Sequence, residues 1–101
     1  MGQFSNLDIA VRDYCEHLLN DYRKNGHNMD KKFTFEIGRK YIHVIMEDNQ
    51  RSSHSWVVMK PDNKFAFGDI LKSATWRGPA RNFKRGNVID GDYKQIRWAG
   101  V

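Results

Sequence analysis

The sequence predicts an α+β domain, in which one N-terminal amphipathic helix packs on a small antiparallel sheet of three to five strands and a long basic loop follows. Apolar residues recur at three- and four-residue steps over 5–25, which is typical of a helix. Short alternating segments separated by turn residues occupy 33–67, which indicates antiparallel strands. Residues 70–91 form a basic irregular segment, which is rich in breakers and has no sustained period from Ser73 to Gly91. At 101 residues the chain is long enough for one domain, 1–101, with one core.

The helix prediction depends on an apolar stripe and on end signals. Ser5 is a good N-cap and Gly26 a natural stop. The polar face mixes both charge signs, which argues against a helix lying on a membrane. The lone cysteine, Cys15, falls within the stripe, so we expect it to be buried, and a single cysteine excludes an intrachain disulfide. The stripe consists of Leu7, Val11, Tyr14, Cys15, Leu18 and Tyr22.

The strand predictions rest on alternation of apolar and polar residues. Between the first two strands, Gly38-Arg39 is either a two-residue hairpin turn or a bulge in one long strand. Pro61-Asp62-Asn63 has the composition of a reverse turn. A last alternating segment near the C-terminus is compatible with a final strand. The predicted strands are 33–37, 40–47, 53–60, a short fourth strand or its beginning over 65–67, and the final one over 93–98. Residues 70–72 are either a short strand or a single helical turn.

The net charge of the chain lies in one segment. The sequence has 17 basic and 12 acidic residues, a net charge of +5. The 20 residues from Ile70 to Ile89 contain five basic residues and no acid, so the rest of the chain is balanced at 12 against 12. Such a segment favours polyanionic partners, among them nucleic acid, phosphorylated ligands, acidic proteins and anionic membranes.

Two aromatic residues accompany these cations, which makes the segment a candidate nucleic-acid site. Arginine and lysine contact phosphates, and Trp76 or Phe83 is suited to stacking on a base. The alternative is a solvated loop whose Trp76 and Phe83 tuck into the core. No phosphate-binding glycine motif is present. The candidate nucleic-acid or anion-binding residues are Lys72, Trp76, Arg77, Arg81, Phe83, Lys84 and Arg85.

No pattern in the chain indicates a catalytic or metal site, and we expect a binding protein that is not an enzyme and has no cofactor. The histidines form neither HxxxH nor HExxH, and CxxC is absent. His43 and His54 face each other across adjacent strands in the predicted sheet, most simply as ordinary sheet residues and alternatively as a weak metal or proton site. In Ser53-His54-Ser55 neighbouring side chains point to opposite faces, which is the wrong geometry for a nucleophile and its base. Asp90-Gly91-Asp92 is typical of a turn.

From Lys32 to Val101 the sequence resembles small proteins of tailed bacteriophages that carry no assigned function. The similar segments are KFTFEIGRKYIHVIMED, HSWVV, GDILKSATW and GPARNFKRGNVID. The resemblance implies no activity and no catalytic residues. It implies a phage protein, the cytoplasm of an infected bacterial host, and no disulfides. Its most recognisable positions are Trp76, Pro79, Ala80, Asn82, Arg85, Gly86 and Asn87.

Three hypotheses for function follow from the sequence. The first is a non-enzymatic protein that contacts the phosphates of DNA or RNA through the basic aromatic segment. The second is a phage inhibitor or sponge that binds an acidic host protein or a small phosphorylated ligand. The third is a structural virion component. A membrane partner is not expected, because no apolar run approaches the roughly 20 residues of a membrane span, and no signal peptide pattern is apparent.

Overall fold

The computed structural model describes residues 2–24, 31–99 and 101, with side chains from Leu7 onward in these ranges. It confirms an α+β domain with one helix packed on an antiparallel sheet. The sheet has the strand order β1-β2-β3-β4-β5, and β6 also pairs with β4. The elements are α1 (Gly2–Lys24), β1 (Lys32–Ile37), β2 (Tyr41–Glu47), β3 (Arg51–Val58), β4 (Asp69–Thr75), β5 (Gly78–Pro79) and β6 (Gly86–Asn87).

The predicted apolar stripe of α1 is buried against the sheet. Leu7, Val11, Tyr14 and Leu18 have no exposed surface and form one core with the apolar side chains of β2, β3 and β4. Cys15 is buried, as predicted, and burial raises the pKa of its thiol to about 12. The side chain of the predicted cap Ser5 and the predicted stop Gly26 lie outside the described residues.

The connection between β1 and β2 is a hairpin turn rather than a bulge in one long strand, but the two residues at its tip are Arg39 and Lys40 instead of the predicted Gly38 and Arg39. Gly38 N–H donates to the Tyr41 carbonyl over 2.9 Å, and Ile37 pairs with Ile42 directly across the turn. The register then predicts which residues share a face of the sheet, since directly opposite residues lie on the same face.

An irregularity between β2 and β3 changes the predicted partners of the two strand histidines. Val44 pairs with Ser55 but Ile45 pairs with Ser53, so His54 is an extra residue in the ladder. His54 therefore turns toward the helix, where its ring nitrogens bond Ser55 Oγ at 3.0 Å and the Arg97 carbonyl at 3.1 Å. The prediction that His43 and His54 face each other is wrong, because His43 pairs with Trp56.

The side of the sheet opposite α1, here called the open face, carries a second and smaller core. It consists of Trp56, Val58, Phe65 and Leu71, with Tyr41 packed against them. Phe65 is supplied by the turn after β3. The Asp62 carboxylate accepts the N–H groups of Lys64 and Phe65 in this turn, both over 2.9 Å. Residues 65–67 are therefore not a strand, and the fourth strand begins after them, at Asp69.

Two predictions about the C-terminal half need correction. The segment 70–91 is not a long irregular loop, because β4 enters the sheet and β5 and β6 both pair with it. Ile70 is buried in the core beneath α1, here called the helix-side core, and Leu71 is buried in the open-face core. Both faces of β4 are therefore covered, and its sequence shows no alternation of apolar and polar residues. The segment 93–98 forms turns and a single bridge at Arg97 rather than a strand, and it buries Tyr93 and Ile96 against the helix-side core.

The first residue of β4 is joined to β6 by the hydrogen bonds of the Asn87 side chain, here called the Asn87 junction. Asn87 Nδ2 donates to Asp69 Oδ1 at 2.8 Å and to the Phe67 carbonyl at 3.0 Å, while its Oδ1 accepts the N–H groups of Ile89 and Asp90. A Cβ at Gly86 would lie 2.2 Å from the Asp92 carbonyl oxygen, so only glycine fits there. The GDILK and RGN segments noted in the sequence thus meet in one structural junction.

Candidate nucleic-acid interface

Four aromatic rings form a continuous row across the open face. At its centre His43 and Trp56 are stacked, with ring centroids 3.8 Å apart and planes within 3°. Trp76 meets His43 edge-on at 4.7 Å, and Tyr41 meets Trp56 edge-on at 6.2 Å. The row, Trp76-His43-Trp56-Tyr41, brings together residues from β2, β3 and the turn between β4 and β5. We call it the aromatic row.

An arginine lies at each end of the aromatic row. Arg51 Cζ is 5.4 Å from the Trp76 ring centroid, and its guanidinium is paired with Glu36 at 2.9 Å. At the other end Arg81 donates to the Tyr41 hydroxyl and pairs with Asp62 at 2.6 Å. The N–H of Phe65 and then the Arg81 guanidinium hold the pKa of the Asp62 carboxyl at about 2. Both arginines are thus fixed in orientation by acidic partners.

Hydrogen bonds beneath the row hold its tryptophan and histidine in place. Ser53 Oγ is 2.6 Å from both His43 Nε2 and Ser73 Oγ, and Trp56 Nε1 donates to Ser73 Oγ over 3.2 Å. Burial lowers the pKa of His43, which favours the neutral imidazole. The spacing of His43 and Ser53 is that of a base and a nucleophile. We interpret the contact as a bridge between β2, β3 and β4, because the Ser53 hydroxyl is already bonded to two side chains.

The two aromatic residues of the predicted site are on the surface. Trp76 is 45% exposed and Phe83 55% exposed, so the alternative that they tuck into the core is wrong. Arg77, in the turn between β4 and β5, is exposed and follows Trp76 directly. Of the seven predicted residues, the structure brings Trp76 and Arg81 to the aromatic row, and Arg77 is next to Trp76 in the chain.

The other predicted residues are placed differently. The Ser73 hydroxyl bonds Ser53 and Trp56 on the open face. Lys72 is its neighbour on β4 and therefore points to the other side of the sheet, which α1 covers. Phe83, Lys84 and Arg85 belong to the loop between β5 and β6. There Arg85 Cζ lies 4.1 Å from the Phe83 ring centroid, and Lys84 Nζ lies 3.8 Å from the buried Asp69 carboxylate.

Sequence reasoning missed two further cations beside the row. Lys40 and Lys60 line a cleft of about 310 Å³ together with Tyr41, Pro61, Asp62 and Arg81. Both lysines are exposed, and within the described part of the chain neither forms an ion pair. Lys40 directly precedes β2 and Lys60 follows the end of β3. Both lie outside the basic segment 70–89 from which the candidate site was predicted. The alternation of Tyr41 and His43 on one face of β2 was the available signal for the row itself.

Among residues 2–24, 31–99 and 101, no group of three or more His, Cys, Asp or Glu side chains is placed to hold a metal ion. In the same residues, no helix has the length and apolar character needed to cross a membrane.

The fold and the open face define a small α+β domain whose helix covers one side of an antiparallel sheet and whose other side presents an aromatic row. Residues 3–101 match a family of unknown function (DUF7717), and the chain belongs to that family. Searches of the curated proteins and of the solved structures found no match.

Proposed function

We propose that the open face binds single-stranded nucleic acid, with Trp76 as the stacking surface and the surrounding cations as phosphate contacts. The observation that carries the proposal is the position of Trp76. Trp76 is 45% exposed, yet its ring contacts His43 edge-on and is approached by Arg51. A tryptophan held in this way offers area for stacking on a base with little further ordering.

A single strand suits this surface better than a duplex. The row is a set of rings on a sheet, and bases reach such rings only when they are unstacked from a complementary strand. Stacking on aromatic side chains tolerates any base, because every base has a π-face. The proposal therefore predicts weak dependence on base sequence and a preference for single strands over duplex.

The charges around the row are of two kinds. Arg51 and Arg81 are paired with carboxylates, so they orient the surface more than they add net charge. Arg77, Lys40 and Lys60 have no ion pair among the described residues and are free to contact phosphates. The proposed path of the nucleic-acid backbone runs from the β4–β5 turn along the aromatic row to the cleft lined by Lys40 and Lys60.

The charge contribution is tested with a variant that spares the packed arginines. Replacing Arg77 and Lys60 by Gln removes two exposed cations that form no ion pair among the described residues. We expect weaker binding to a short oligothymidine and a salt dependence shallower by about 1 to 1.5 in log–log slope, since each single-strand phosphate contact contributes about 0.7. The melting temperature is expected to change little, because exposed charges contribute within about 0.5 kcal/mol. Fluorescence anisotropy at several salt concentrations measures both quantities.

The matched control replaces Arg23 and Lys24 by Gln, which removes the same two charges from the end of α1. We expect its affinity and salt slope to equal those of the wild type. Equal weakening of the two variants would show that binding depends on net charge alone. A wild-type protein that binds neither single strand nor duplex at low salt would overturn the proposal.

A small phosphorylated ligand is the second candidate, and the cleft lined by Lys40, Lys60 and Arg81 favours it. Its phosphates would contact the two free lysines without needing Trp76. Loss of ligand binding in Lys40→Gln with Lys60→Gln, but not in Trp76→Ala, would select this candidate. The phage origin and the bacterial cytoplasmic location stay predictions from the resemblance.

A further inference from the structure

The outer edge of β1 is unpaired in the described part of the chain. The strand order begins with β1, so the backbone N–H and C=O groups on its outer side have no partner strand there. Such an edge readily pairs with a strand of another molecule. Beside it, a groove of about 350 Å³ between α1 and β1 is lined by Cys15, Leu19, Phe33 and Phe35, together with Arg12 and Glu16.

The sequence of β1 is complementary to itself when two copies run antiparallel. With Thr34 opposite Thr34 of a second copy, Lys32 lies opposite Glu36 at both ends of the pair. Phe33 then lies opposite Phe35. Residues of β1 alternate in face, so the charged pairs lie on the open-face side and the phenylalanine pairs on the helix side. Opposite charges and aromatic pairs directly across strands are both stabilising.

The charges needed for this register are accessible. Lys32 is exposed and has no ion pair within the described residues. Glu36 is bonded to Arg51 at 2.9 Å, but its side chain is 62% exposed and keeps room for a second cation. A register shifted by one residue would place Phe33 opposite Glu36 and lose both kinds of pair.

We propose that two copies of the chain form a dimer by pairing β1 with β1, with the twofold axis at Thr34. The interface is isologous, as closed dimers require. It joins the two sheets edge to edge, keeps both helices on one side, and makes the two open faces continuous. The occupant of the β1 edge is thus a second copy of this chain, and the pairing does not depend on any bound nucleic acid.

Charge reversal at the two ends of the register tests this arrangement. Lys32→Glu alone and Glu36→Lys alone each place like charges opposite one another twice, and each is expected to weaken dimerisation by about tenfold or more. An equimolar mixture of the two variants restores both pairs and is expected to form heterodimers. Sedimentation velocity over a range of concentrations measures each case. Lys94→Glu reverses a charge outside the β1 edge and is expected to dimerise like the wild type.

The double variant Lys32→Glu with Glu36→Lys provides a second measurement, because it exchanges the charges and keeps them complementary. It is expected to dimerise like the wild type. A wild-type protein that is monomeric at every concentration would overturn the proposal. Single variants that dimerise as well as the wild type, or a mixture that stays monomeric, would equally reject this register. Circular dichroism of each variant establishes that the comparison is made between folded proteins.

Discussion

Replacing Trp56 by Ala is expected to lower the free energy of unfolding by about 3–5 kcal/mol, since deletion of a buried aromatic side chain loses its transfer free energy and leaves a cavity. Trp56 is only 8% exposed and is the largest member of the open-face core. Its ring stacks on His43, and its Nε1 donates to Ser73. All of these contacts disappear together. Urea denaturation followed by circular dichroism measures the change.

Trp76→Ala is the matched control, because it deletes the same type of side chain and Trp76 contacts the same histidine, His43. Trp76 is 45% exposed, so we expect a loss of no more than about 1 kcal/mol. Equal losses in the two variants would contradict the difference in burial. Two tryptophans that touch the same histidine would then be equally important to the fold.

Asn87→Ala is expected to destabilise the protein by about 2–4 kcal/mol, because it removes four hydrogen bonds and leaves buried groups without partners. The largest consequence falls on Asp69, whose side chain is 2% exposed and loses the Asn87 donor at 2.8 Å. Asp69 still accepts the Ala66 N–H at 2.8 Å. Urea denaturation again measures the change, and loss of amide protection at Ile89 and Asp90 is expected with it.

Asn82→Ala is the control for the junction. The Asn82 side chain is exposed and accepts a single bond, from the Phe83 N–H at 2.8 Å. Its loss is expected to change stability by less than about 1 kcal/mol. If the two asparagine variants were equally stable, the Asn87 junction would contribute little to holding β6 on β4.

The elements with a local pattern were predictable. The apolar stripe of α1 and the alternation of apolar and polar residues in β1 arise because each element packs only one of its sides, and helices and strands have different side-chain periods. Strand β4 was predictable only as a choice between a short strand and a helical turn over 70–72, since Ile70 and Leu71 are buried in different cores and its partner β6 lies beyond an intervening turn and loop. The segment 93–98 alternates like a strand, but its Tyr93 and Ile96 are held by α1, far away in the sequence.

The candidate site was predictable only in part, for a related reason. Composition located Trp76 and Arg77, because cations and an aromatic residue are close together in the chain. The rest of the aromatic row is assembled across strands by the register of β2 with β3. The irregularity between Val44 and Ile45 decides that His43 meets Trp56 while His54 turns to the helix. A one-residue shift of this kind leaves no mark in the local alternation.

The most direct test of the central claim is to map where a single strand touches the protein. Wild-type protein is cross-linked to a short oligothymidine by ultraviolet light and digested with trypsin, and the modified peptides are identified by mass spectrometry. The account predicts cross-links in the peptide 73–77, which contains Trp76, and a loss of affinity of about 1–3 kcal/mol in Trp76→Ala. Cross-links confined to the peptide 98–101, which contains Trp98 on the helix side, with unchanged affinity in Trp76→Ala, would contradict it.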